Sequence, residues 1–162
     1  MRNKMKKRAS VIFLLGLFWL AFGQDYALAQ TAPTAPKWFT NYTEAAQVAQ
    51  TENKPIMVVF AGSDWCKPCI MLRKEVWETE AFKQYAQQNL VLVELDFPRF
   101  KKNQLPKEQV KHNEEMAAKY NKEGSFPLVV LTKPDGSVIA KTGYQAGGPD
   151  KYIPHLQQLL KK

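Results

Sequence analysis

The chain has 162 residues, 45% of them hydrophobic, enough for one domain of ordinary size with a core that needs no covalent staples. Lysine and arginine number 23 against 15 acids, but Arg2, Lys4, Lys6, Lys7 and Arg8 fall in the first 29 positions along with one acid, Asp25. The excess of four positive charges left beyond them, with no basic stripe interleaved by aromatics, gives no support to nucleic-acid binding.

Residues 1–29 carry the three parts of a secretory signal in order: the basic start, an apolar run from Val11 to Phe22, and the small-residue cleavage site Ala27-Leu28-Ala29. The apolar run is about a dozen residues where a spanning helix needs ~20. Cleavage after Ala29 is therefore expected, with Gln30 at the new N-terminus; a lipid anchor would need cysteine there. Residues 30–39, with alternating Thr, Ala and Pro, read as a flexible lead-in. The domain proper is placed at 40–162.

Within it, Thr43 to Glu52 predicts a helix with Thr43 as N-cap, ended by Asn53-Lys54-Pro55. Ile56 to Ala61 is a short apolar run rich in β-branched residues, the pattern of a strand covered on both faces. Gly62-Ser63-Asp64 breaks it. Helical spacing follows from Pro68 through Met71, Leu72, Val76 and Trp77, then again from Glu80 to Gln88. Leu90 to Phe97 predicts a second buried strand, and a helix starts near Leu105-Pro106-Lys107-Glu108 and ends near Asn121. Phe126 to Thr132 and Ser137 to Thr142 are strands joined by a tight turn at Asp135-Gly136. The last helix runs to the C-terminus, with Pro154 expected to disturb its first half. Strands alternating with helices and closed by a hairpin argue an α/β domain: a central mixed sheet flanked by helices.

The two cysteines lie in Trp65-Cys66-Lys67-Pro68-Cys69, where a strand hands over to a helix. A disulfide between residues three apart closes a very small loop and makes a poor structural staple. As a redox centre the pair is apt. Exchange needs a thiolate that attacks and a second thiol near enough to release the mixed disulfide. A free thiol ionises near ~8.5, and unpaired N–H groups at a helix N-terminus stabilise its thiolate. Cys66 is so placed and is the expected nucleophile; Cys69, one turn inside, is the expected resolving thiol. Lys67 adds a cation between them, and Pro68 suits the first helical turn, where its missing N–H costs nothing. A zinc site would need two further ligands and none is spaced for it; covalent haem would need His at position 70, which is Ile70. No cofactor beyond the Cys66–Cys69 disulfide is expected.

This motif after an apolar strand, with Phe126-Pro127 before the next strand and a hairpin and helix after it, resembles the thioredoxin-fold proteins over roughly Thr40 to Lys162. Gly62-Ser63-Asp64-Trp65-Cys66 and Asp96-Phe97-Pro98-Arg99 resemble exported bacterial thioredoxin-like proteins and the C-terminal domain of the interchange protein that feeds electrons into the periplasm. The resemblance implies a thioredoxin fold and a periplasmic protein-disulfide oxidoreductase, leaning to a reductase. It implies a monomer acting on protein or peptide thiols and disulfides and supplied by a membrane electron donor. It also makes Pro127 a cis proline against the disulfide, with Phe126 and Trp65 on the docking surface beside Lys67 and Pro68. Thioredoxins usually carry a buried Asp on the strand before the cysteines, and Met57 to Phe60 holds no acid. Glu94, on the following strand, is the candidate proton acceptor for Cys69, since related electron-feeding domains place an acid there.

Asp64 and Asp96 read as loop and strand-end residues, Trp38 and Trp77 as core, His112 and His155 as isolated surface histidines. The basic segment Arg99 to Lys111 reads as a solvated loop, with guidance of acidic partners toward Cys66 as its functional alternative. The competing reading of the whole chain is a thioredoxin-fold peptide-binding or chaperone module without redox turnover.

Overall fold

The computed structural model describes residues 35–161; the leader and its cleavage site lie outside them. Strand β1 (Trp38–Phe39) precedes helix α1 (Tyr42–Glu52), strand β2 (Ile56–Ala61) and helix α2 (Lys67–Leu72), which runs on as a π-helical stretch, Arg73–Trp77. Helix α3 (Glu80–Asn89), strand β3 (Val91–Asp96), a 3-10 turn at Lys101–Asn103 and helix α4 (Lys107–Tyr120) follow. The hairpin strands β4 (Leu128–Thr132) and β5 (Val138–Thr142) and helix α5 (Pro149–Leu160) complete the fold.

The sheet order is β1-β3-β2-β4-β5. β2 pairs parallel with β3, Ile56 beside Val91 through Ala61 beside Asp96, and antiparallel with β4. Every residue of β2 is buried. Its alternate side chains serve two cores: Met57, Val59 and Ala61 pack with the cysteines, Trp77, Phe82 and Tyr152. Ile56, Val58 and Phe60 pack with Tyr42, Ala45, Val93 and Tyr120. This double burial is why β2 reads as an unbroken apolar run instead of an alternating one. Glu94 shares the first of these faces, beside Val59 in the β2–β3 register.

Several local expectations are corrected. Asn41, not Thr43, caps α1, its extended backbone letting Oδ1 accept from the N–H groups of Thr43 and Glu44. Helix α5 runs unbroken through Pro154, at its sixth position, where only the bond to one first-turn carbonyl is forfeited. His112 is no isolated surface residue: Nε2 accepts the Tyr42 N–H at 3.0 Å, satisfying a first-turn donor of α1. His155 Nε2 lies 2.9 Å from Thr142 Oγ1. Among the described residues no helix is long and apolar enough to cross a membrane.

Beneath α1 the Tyr42 hydroxyl lies 3.2 Å from both Thr132 Oγ1 and the Tyr120 hydroxyl, which donates to the Gly136 carbonyl. Burial, reinforced by Tyr120 and partly offset by Thr132, pushes the Tyr42 phenol up to about 12. The fold thus favours the neutral phenol. Its contribution is whole below the ordinary phenol value of ~10 and is lost as pH rises toward the folded value, because the unfolded chain releases its proton first. The urea midpoint is expected to fall across that alkaline window, and to fall less steeply in Tyr42→Phe, which costs about 1 kcal/mol of hydrogen bonding at neutral pH. Equal slopes in the two proteins would show that Tyr42 does not carry the effect.

Candidate active site

The C-terminal ends of β2 and β3 build the site. After Ala61 the chain turns at buried Gly62, whose carbonyl accepts from the N–H groups of Trp65 and Cys66. A Cβ at Gly62 would lie 2.7 Å from Trp65 Cζ2, so only glycine lets the indole fold over this turn. Cys66 is the N-cap of α2, with Lys67 and Pro68 opening the helix. The Cys66 Sγ accepts the Cys69 N–H at 3.3 Å, and the two sulfurs form a disulfide. Both cysteines are buried at the residue level, 4% and 6% exposed, while Lys67, Pro68 and Ile70 are open to solvent.

A small cavity of about 70 Å³ lies against Cys69, lined also by Ser63, Arg73, Glu94 and Pro127. The Phe126–Pro127 peptide is cis. Glu94, half-buried, pairs with Arg73 on the π-helical turn after α2. Phe126 packs edge-on against Trp65, ring centroids 5.3 Å apart, and against Phe97 at 5.4 Å. Cys66, Cys69, Trp65, Glu94, Phe126 and Pro127 are therefore brought to one end of the sheet. Lys67 points no charge at a described partner; it opens the helix and stays exposed. Among the described residues no cluster of three His, Cys, Asp or Glu side chains is placed to hold a metal.

Sequence reasoning located Asp64 and Asp96 but missed what they do. Asp96, ending β3, accepts from the Ser63 N–H at 2.8 Å and the Ser63 hydroxyl at 2.6 Å. Asp64, following β2, accepts from the Arg99 and Phe100 N–H groups, each at 2.9 Å, and from the Asn103 amide. Each loop is thus held by a carboxylate from the other. Arg73 also went unseen, its sole signal being an arginine one turn beyond the second cysteine. Trp65 is pinned by its indole N–H, which donates to the Phe97 carbonyl at 2.7 Å, and Arg99 stacks on its ring with Cζ 3.6 Å from the centroid.

The fold and this site define a class: an α/β protein that carries a redox-active cysteine pair at a strand-to-helix junction opposite a cis proline. Comparison with known proteins identifies the family. A thioredoxin-like family model matches residues 37–134, and the chain belongs to that family. It is 36% identical over 137 residues to the disulfide bond reductase DsbH of Chlamydia pneumoniae, covering 83% of this chain and 80% of the relative. It is 29% identical over 133 residues to the thioredoxin-related protein DsbJ of the same organism, 77% of this chain but 37% of that longer protein. A solved DsbH oxidoreductase structure superposes with a TM-score of 0.73 at 36% identity, covering 83% of this chain and 92% of the other. The protein is a thiol:disulfide oxidoreductase.

Burial opposes ionisation of Asp64, but the Arg99 N–H, the Asn103 amide and the Phe100 N–H outweigh it and hold the carboxyl below its usual range. With a folded value lower than the unfolded ~3.9, its contribution is present above that pH and is lost as acid carries it down through the folded value. The Arg99 and Phe100 amides are expected to lose hydrogen-exchange protection only well into acid, and to lack it at neutral pH in Asp64→Ala. Protection retained in the variant would mean that the 99–103 loop stands without the clamp.

Proposed function

We propose that the protein is a disulfide reductase for exported proteins, acting in the periplasm after cleavage at Ala29 and recharged by a membrane electron-donor protein. The observation that carries the chemistry is the Cys66 sulfur at the N-cap of α2 with the Cys69 N–H aimed at it. Similarity to a disulfide bond reductase supports the direction, and the leader pattern of residues 1–29 supports the compartment.

In the reduced protein the Cys66 thiolate, stabilised by the open N–H groups and dipole of the helix, attacks one sulfur of a substrate disulfide. A mixed disulfide forms and one substrate sulfur leaves as a thiolate, which takes a proton from solvent. Cys69 then loses its proton and attacks the Cys66 sulfur, re-forming the Cys66–Cys69 bond and releasing the second substrate thiolate, which takes up a proton. Two electrons have passed to the substrate. A dithiol donor reverses the exchange and restores the reduced pair. Glu94 is the proposed acceptor of the Cys69 proton, through the small cavity that both side chains line. Pro127, Phe126 and Trp65 offer the surface beside the sulfurs on which substrate backbone docks.

An insulin-reduction assay tests the assignment. Cys66→Ser is expected to fall to background, and Cys69→Ser to accumulate mixed disulfides visible on non-reducing gels. Activity that survives loss of Cys66 would sink the reading, and activity absent from the native protein would favour a peptide-binding module.

For Glu94→Gln the attack by Cys66 is expected to persist while resolution of the mixed disulfide slows by about a hundredfold, the low side of general-base contributions. A stopped-flow record showing the same resolution rate would remove Glu94 from the mechanism.

A further inference from the structure

A second, larger cleft of about 420 Å³ adjoins the site without touching either cysteine. Trp65, Phe97, Arg99, Leu105, Val110 and Phe126 contribute to its walls. It meets the redox centre at two peptide bonds, since Trp65 precedes Cys66 and Phe126 precedes Pro127. The cleft thus opens next to the cysteine that a substrate disulfide has to reach.

The segment that flanks the cleft is basic, while the wall itself holds one guanidinium, Arg99, with two carboxylates, Asp96 and Glu114. From 99 to 111 the chain carries Arg99, Lys101, Lys102, Lys107 and Lys111 against Glu108. Lys111 reaches Glu115 at 4.0 Å; Arg99, Lys101, Lys102 and Lys107 form no ion pair among the described residues. Asp96 accepts from Ser63, and Asp64 from the Arg99–Asn103 backbone and amide, so neither pairs with the Arg99 guanidinium. Glu114, on α4, is the uncommitted acid of the cleft wall.

Arg99 takes no part in the exchange chemistry. Its guanidinium sits over the Trp65 ring, Cζ 3.6 Å from the centroid, and forms no ion pair among the described residues, which leaves its N–H fork unspent. Its backbone is fixed by Asp64 and the indole beneath by the Phe97 carbonyl. A stacked, immobilised fork loses little further freedom on meeting a carboxylate. Beside it, Leu105 and Val110 offer an apolar lining and Phe100 stands 53% exposed.

We infer that this cleft is a specificity site for acidic substrate segments: Arg99 takes a carboxylate of a residue near the substrate's half-cystine, and the Leu105–Val110 wall takes a neighbouring apolar side chain. The inference names the substrate class for the reductase proposed above and rests on that reading, but its test does not need turnover. The oxidised, isotope-labelled protein is titrated with a short cysteine-free peptide carrying two glutamates beside a leucine, and with its copy carrying lysines in their place. The glutamate peptide is expected to shift the Trp65 indole N–H, Phe126 and Leu105 signals and to bind at least about tenfold tighter than the lysine copy, the gap narrowing as salt is raised. In Arg99→Glu the preference should disappear. Arg99→Gln, which keeps the stem and a polar tip, should reduce it and guards against a folding defect.

Equal binding of the two peptides, a preference that survives both substitutions, or shifts confined to another surface would overturn the assignment. The disulfide-linked dimers of the same peptides, each extended by a cysteine, then report kcat/KM. A glutamate preference in binding with no reduction of either dimer would uphold the cleft and fail the reductase.

Discussion

Two carboxylates exchanged between two loops hold the active end of this molecule together. Asp96 ends β3 and grips Ser63 after β2; Asp64 follows β2 and grips the Arg99–Asn103 turn after β3. The arrangement is possible because β2 and β3 are parallel and in register to their last residues, Ala61 beside Asp96, so both chains leave the sheet at the same height. In an antiparallel pair one exit would face one entry. With both exits tied, the Gly62–Cys66 turn can fold Trp65 back over itself, and Cys66 starts α2 from a fixed position. The cysteine chemistry depends on this fixity, since thiolate stabilisation at a helix N-terminus fades within about the first turn.

The same pairing sets the acid proposed for proton handling one strand over. No acid lies on β2, where thioredoxins usually carry one, and the register sets Glu94 of β3 beside Val59 on the face that packs the cysteines. A carboxylate there reaches the same cavity from the neighbouring strand. Arg73 faces it from the π-helical turn, where an extra residue per turn displaces side chains from the stripe that an α-helix would present. The pair tempers the cost of half-burying a carboxylate, which alone would be disfavoured by desolvation.

The element order, the buried strands, the Asp135-Gly136 hairpin and the position of the cysteines were legible because each rests on short-range physics: continuous apolar runs, turn chemistry and helix starts. What escaped was set by distance in sequence. β1 has two residues, too few for any periodicity, and exists only because β3 offers Leu92 and Val93 as partners. The Asp clamps join residues more than thirty positions apart, and the fold supplies their meaning. His112 reaches Tyr42 across 70 positions. Pro154 misled in the other direction: a local rule of helix breaking was overridden by the packing of Tyr152 and Leu156, both fully buried in the core beside Trp77 and Phe82. A single missing hydrogen bond is small against two such side chains removed from water.

In the proposed mechanism the two cavities divide the labour of exchange. One is small, lies against Cys69 and Glu94, and has Pro127 in its wall; the other is about six times larger in volume, lies against Trp65 and Arg99, and has Phe126 in its wall. They share no lining residue and are separated by one peptide bond. Resolving Cys69 needs a proton acceptor with restricted access to bulk water, whereas docking a polypeptide needs open surface and displaceable water. A single pocket would have to compromise between these demands. With Cys66 at the helix start that Asp64 and Asp96 fix, the proposed mechanism has substrate arrive along one wall and the proton leave along the other.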